Sequence, residues 1–84
     1  MFLHLGADKM IKLRDLIVII NNENPQKNNN IGEFFEKAQH LLEVEKIEKD
    51  NHKSIVITDD KIYFSPISSQ TLKKRANFVA DLGD

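Results

Sequence analysis

The chain reads as a small α+β domain, and three observations lead there. Short β-rich runs punctuated by turn residues occur near both ends: "MFLHL" before "GADK", "LIVII" after "KLRD", and "SIVIT" and "KIYF" around Asp59 and Asp60. Between them "IGEFFEKAQHLLEV" repeats apolar residues at helical spacing, and "SSQTLKKRANFVA" does so again towards the C-terminus. The 84 residues are one domain, 1–84, which buries only ~60% of the surface its unfolded chain would expose. The expectation is a small antiparallel sheet with hairpins, one central amphipathic helix and a C-terminal helix.

In the first run Phe2 and His4 alternate with Leu3 and Leu5, and Gly6 opens a tight turn, so a hairpin is expected. Its second arm starts at Met10 and Ile11, breaks at "KLRD" and resumes as Leu16 to Ile20, which predicts two strands joined by a short turn or bulge. Arg14 and Asp15 sit at that irregularity. "NNENPQKNNN", 21–30, has six Asn and no aliphatic side chain, and is expected to be an exposed, mobile loop.

The helix that follows is expected to line up Ile31, Phe34, Phe35, Ala38, Leu41 and Leu42, with Glu33, Glu36, Lys37 and Gln39 opposite. Asn30 is its candidate N-cap and Glu33 the capping-box acid. "EVEKIEKDNHK" has only Val44 and Ile47 as aliphatics and is either a weak strand or a loop. Ser54 to Thr58 and Lys61 to Phe64 then form a hairpin turning at Asp59 and Asp60, and Pro66 ends its second arm. Ser68 or Ser69 caps the last helix, in which Leu72, Ala76 and Val79 face inward. Lys73, Lys74 and Asn77 fall on the opposite face and Arg75 beside the apolar stripe, where Asp15 is one candidate salt-bridge partner. Phe78 projects where a second subunit would cover it.

Composition removes several function classes. There are no cysteines, so disulfides, thiolate zinc sites and redox roles are out, and a reducing cytoplasm suits the chain. The longest apolar run, "LIVII", is far short of the roughly 20 residues a membrane span needs. His4, His40 and His52 lack metal-ligand spacing, and Ser65, Ser68 and Ser69 have no partnered base, so neither a metal, a cofactor, a small-molecule substrate nor an enzyme is expected. Net charge is −1, yet it is uneven: Glu33 to Asp50 carries six acids against three lysines, while Lys61 to Arg75 carries four cations and no acid.

"FLHLG", "RDLIVII", "KSIVITDDKIYFSPISS" and above all "SSQTLKKRANF" together resemble the RemA/RemB family of bacterial extracellular matrix regulators, its RemB branch most. These motifs cover about two thirds of the chain, and 21–48 matches only in its helical pattern. The resemblance implies a LytTR-like fold and a cytoplasmic, DNA-binding transcriptional regulator of biofilm matrix genes that works as a homo-oligomer in a ring or arc. It also implies where double-stranded DNA is met. A family arginine at the break in the second arm corresponds to Arg14, with Lys12 beside it, and a pair of family arginines before the later hairpin falls on His52 and Lys53. Here an imidazole and an ammonium stand in place of two guanidinium forks.

The other reading of each residue is plain. Lys73, Lys74 and Arg75 are either a secondary basic surface or a solvated helix face, and Arg14 is either a phosphate contact or an exposed turn cation. At the level of the whole chain the alternative is an oligomeric protein-interaction module with weak or no DNA binding. A single copy offers few phosphate contacts, leaving non-specific affinity on the order of 10⁻⁴ M, which repetition in an oligomer would raise.

Overall fold

A computed structural model of the chain describes residues 1–22 and 29–81, and the side chains of 29–32, 34 and 78–81 lie outside that description. The elements run β1 (Phe2–Gly6), β2 (Lys9–Lys12), a 3-10 turn (Leu13–Asp15), β3 (Leu16–Asn21), α1 (Asn29–Leu41), β4 (Glu43–Lys46), β5 (Ser54–Thr58), β6 (Lys61–Ser65) and α2 (Ser69–Asp81). The α+β class and both helices are as expected. The single antiparallel sheet is not: β1 and β2 form a two-stranded sheet of their own, and the other four strands form a second in the order β3-β5-β6-β4.

The first hairpin turns at Ala7 and Asp8, both with positive φ, the backbone hand that suits a two-residue turn between twisted strands. Gly6 just before it has φ +110, and a Cβ there would stand 3.1 Å from Pro66 Cγ. The 3-10 turn is the "KLRD" break, and β3 follows with a bulge at Ile17, between the pairs Leu16↔Thr58 and Val18↔Ile57. The bulge leaves Ile17 56% exposed.

The stretch left open in the sequence is strand β4, which pairs in parallel with β6 through Glu43↔Lys61 and Val44↔Ile62. It claims Glu43 and Val44, so α1 stops at Leu41 and is shorter than its apolar stripe suggests. At its other end α1 starts at Asn29, so Asn30 lies within the helix rather than capping it, and the Asn30–Glu33 capping box is lost. Asn21 and Asn22 also leave the expected loop, as the end of β3 and the turn after it. The mobility expected of 21–30 falls mainly on 23–28, outside the described residues.

Alternation on the strands builds two cores. Ile19, Val56 and Tyr63 face Leu3, Leu5 and Ile11 of the small sheet and Leu72 of α2. Ile20, Ile55, Ile57 and Ile62 face Ala38 of α1, with Val18, Phe35, Leu42 and Phe64 around them. The main sheet is thus covered on both sides, and β5, its most enclosed strand, is buried at all five positions. Each fully buried aliphatic contributes about 1.5–3 kcal/mol of transfer free energy.

Serines pin the layers. The Ser65 hydroxyl donates to the Leu5 carbonyl at 2.7 Å, and the Ser54 hydroxyl donates to the Ile67 carbonyl at 2.7 Å. Ser68, not Ser69, caps α2: its Oγ accepts from the Thr71 backbone N–H at 3.2 Å. Leu72 and Ala76 face inward as expected, while the side chains of Val79 and Phe78 lie outside the described residues.

Candidate nucleic-acid interface

Rows of paired residues place the expected DNA contacts. The pairs Leu16↔Thr58 and Lys61↔Glu43, linked at the β5–β6 turn by the Thr58 hydroxyl to the Lys61 backbone, make one row across the main sheet, and Asn21, Ser54 and Ser65 form another four residues along β5. Arg14 and Lys12 stand beyond the first row and His52 and Lys53 beyond the second. Four residues of β5 at about 3.3 Å each separate the two rows by ~13 Å, and the two pairs stand beyond them at opposite ends. One protomer therefore does not gather them into a single patch.

Arg14 projects from the 3-10 turn with its side chain 78% exposed, and among the described residues its one ion pair is a loose one, 3.9 Å from Nε to Asp15 Oδ1. The backbone N–H of Asp59 donates to the Asp15 carbonyl at 3.2 Å, so the β5–β6 turn is tied beside this arginine. An open pocket of about 180 Å³ lies there, lined by Lys12, Asp15, Asp60, Thr58, Met10 and Tyr63. Lys12 thus shares its surroundings with two carboxylates, and Arg14 is the freer cation at this end.

At the other end His52 is committed inside the chain. Its Nε2 donates to the Glu48 carbonyl at 2.7 Å, which fixes a proton on that nitrogen, and its ring stands edge-on to Phe64 at 5.3 Å between centroids. Asn22 reinforces the loop by donating its side-chain N–H to the His52 carbonyl at 3.0 Å. Lys53 is anchored through its backbone, its N–H donating to Ser65 and its carbonyl accepting from Asn22, while its side chain is exposed. The three cations of α2, Lys73, Lys74 and Arg75, are exposed too. The Arg75–Asp15 pair does not form: among the described residues Arg75 has no ion pair and Asp15 meets Arg14 instead.

Lys61, one of the four cations that made 61–75 look basic, is withdrawn from that surface. Its Nζ lies 3.3 Å from Glu45 and 3.8 Å from Glu43. Lys9 reaches the same Glu45 at 3.1 Å and lies 5.4 Å from the centre of the Tyr63 ring. Hydrogen bonding from Lys9, helped by Lys61, holds the Glu45 carboxyl below its usual range against some desolvation, and the bond to Glu45 pushes Lys61 up. Burial raises Tyr63. This network, which joins the small sheet to the edge of the main one, had no signature in the sequence because its ion pairs join residues 16 to 36 apart. Among the described residues no cluster of His, Asp or Glu has the makings of a metal site, and no helix is long and apolar enough to cross a membrane.

Comparison with known proteins gives this arrangement its setting. The family model for RemA-like proteins, described as extracellular matrix regulatory protein A-like, matches residues 2–76. The chain belongs to the RemA-like family. It is 39% identical over 85 residues to extracellular matrix regulatory protein B of Bacillus subtilis (strain 168), with 98% of each chain covered. The RemA-like match takes in Arg14, the His52–Lys53 loop and the three cations of α2, so every described candidate contact lies on the shared domain. It also takes in Ser54, Ser65 and Ser68, whose hydrogen bonds explain why "KSIVIT" and "IYFSPISS" are serine-punctuated: these hydroxyls hold the scaffold.

Proposed function

We propose that this RemA-like protein is a DNA-binding transcriptional regulator of extracellular matrix genes that acts as a homo-oligomer. The observation that carries the reading is Arg14: a guanidinium projecting from a strand break, largely in solvent and held loosely by its neighbour Asp15. Lys53 supplies a second cation from the opposite end, and His52 positions it by fastening its loop to Glu48 and Phe64. Lys12 supports Arg14, and Lys73, Lys74 and Arg75 form a secondary basic surface. In this reading the layering of sheet and helices corresponds to a LytTR-like organisation.

Oligomerisation follows from the arithmetic of contacts. Two or three phosphate contacts per copy leave binding weak at physiological salt, whereas several copies on one duplex multiply them through effective concentration. The chain is cytoplasmic in this reading and needs no cofactor. A low-salt gel-shift titration with curved promoter DNA tests it: affinity that falls steeply with salt supports the reading. Salt-independent or absent binding replaces it with an oligomeric protein-interaction module.

A further inference from the structure

The outer face of the small sheet is built from Phe2, His4, Met10 and Lys12. Phe2 pairs with Lys12 and His4 with Met10, so all four point to one side, and all are exposed. Leu3 and Ile11 alternate to the other side and are buried in the core. Phe2 and Met10 lie diagonally across the two strands, each 57% exposed, so the chain's own packing leaves more than half of a ring and of a thioether side chain in water. The platform beneath them is stiff: Leu3, Leu5 and Ile11 anchor its back, and the Ser65 hydroxyl holds the Leu5 carbonyl at 2.7 Å.

This face runs on into the cations of the candidate interface. Lys12 is the cross-strand partner of Phe2 and stands two residues before Arg14. The Leu13 N–H donates to the Met1 carbonyl at 2.9 Å, which carries the pairing one step past Phe2 to the 3-10 turn from which Arg14 projects. Met10 and Lys12 also line the pocket that holds Asp15 and Asp60. Those carboxylates offset Lys12, so what the face adds beside Arg14 is apolar contact rather than charge.

Size selects the occupant. Two large side chains, each a little over half exposed, offer roughly 200 Å² of apolar surface. That is well short of the about 800 Å² per partner that a stable protein interface uses. It is the scale of the Phe, Leu, Ile, Met or Pro wedge that proteins push between base steps from the minor groove.

We infer that the outer face of the small sheet meets the minor groove of a duplex, and that Phe2, with Met10 beside it, enters between two base pairs and kinks the DNA. The inference rests on the DNA-binding reading above and supplies its base contact. Arg14 holds a phosphate and contributes to the salt dependence, whereas Phe2 replaces a base stack and does not. Flexible steps such as TA are the easiest to unstack, so the face selects them without hydrogen bonds to bases.

A short straight duplex tests it, with one central TA step, 2-aminopurine replacing adenine at that step, and a fluorescent donor and acceptor at its ends. Titrated at low salt, the parent is expected to brighten the 2-aminopurine and to raise energy transfer between the ends. Phe2→Gln, at a position already in solvent, is expected to lose both signals while keeping the salt slope of binding. Phe2→Leu is expected to retain both signals, and Arg14→Ala to flatten the salt slope.

A parent without salt-dependent binding removes the DNA reading and this contact with it. Salt-dependent binding in which the parent leaves both signals flat, or in which Phe2→Gln gives them as the parent does, leaves the DNA reading standing and overturns the wedge. A lower assembly mass for Phe2→Gln in light scattering overturns it too, since another copy then covers the face. Should Phe2→Gln fail to fold by circular dichroism, Met10→Gln decides by the same two signals: weakening of both supports the wedge, and unchanged signals overturn it.

Discussion

The hydroxyl of Ser65 donates a hydrogen bond of 2.7 Å to the carbonyl of Leu5, joining residues 60 apart in sequence and fastening the small sheet to the main one. The same oxygen accepts from the Ile67 N–H at 3.1 Å, so one serine serves two strands and the turn into α2. Both Ser65 and Leu5 are fully buried, and water cannot replace the contact.

Ser65→Ala is therefore expected to cost about 1–3 kcal/mol, the penalty of leaving a buried carbonyl unpaired. For a domain of this size that lowers Tm by roughly 4–8 °C per kcal/mol, measurable by thermal unfolding followed at the far-ultraviolet signal. An unchanged Tm would show that Leu5 finds another donor.

Gly6→Ala should destabilise by more than about 1 kcal/mol, since the position holds positive φ and the new methyl meets Pro66 at 3.1 Å. Denaturant unfolding of the two proteins side by side measures it. Pro66→Ala in the Gly6→Ala background relieves the contact but not the backbone, so it is expected to recover only part of the loss.

Arg14→Ala is expected to weaken DNA binding by about 1 kcal/mol or more per engaged subunit and to flatten the salt slope, with the assembly's mass unchanged. Lys53→Ala should do less. Gel shifts at several salt concentrations read both. If Arg14→Ala binds like the parent while Lys73→Ala with Lys74→Ala abolishes binding, the α2 cations are the DNA surface instead.

The Glu45 carboxyl, held low chiefly by Lys9, makes stability fall in acid. Its folded pKa lies below its ordinary value near 4.5, so the contribution is fully present above that pH and is lost as pH drops through the lowered value. Glu45→Gln is expected to flatten this acid limb while leaving the slope at neutral pH unchanged. Unfolding midpoints measured from pH 6 downwards check it. The side chain is about one-third exposed, which limits the effect to that of a screened surface pair.

How much of this was legible in the sequence depended on how local each signal was. The alternation of Leu3 and Leu5, the Asp59–Asp60 turn and the Leu72–Ala76 stripe all report on neighbours within a few residues, and the structure bears them out. The end of α1 was not legible, because Glu43 and Val44 continue a helical pattern and only the distant β6 draws them into a strand. Separation into two sheets was hidden for the same reason, since β3 finds its partner in β5 rather than in the strand before it. At the candidate interface the exposure of Arg14 was readable from the strand break. The commitment of His52 to Glu48 and of Lys61 to Glu45 was not: the first, though only four residues apart, depends on the backbone path of an irregular loop, and the second joins side chains of two strands 16 residues apart.

The pairing of β3 with β5 also sets a clock on biosynthesis. Asn21 must wait for Ser54, so β3 leaves the ribosome roughly thirty residues ahead of the strand that covers it. At 5–20 residues per second that is roughly 2–6 s. Closing the loop then costs about 3 kcal/mol of chain entropy beyond a constant, whereas the β5–β6 hairpin closes over two residues within microseconds. For those seconds "LIVII" is an unpaired, uncharged strand in a nascent chain, which makes it the segment where co-translational aggregation would begin and where a chaperone would bind first.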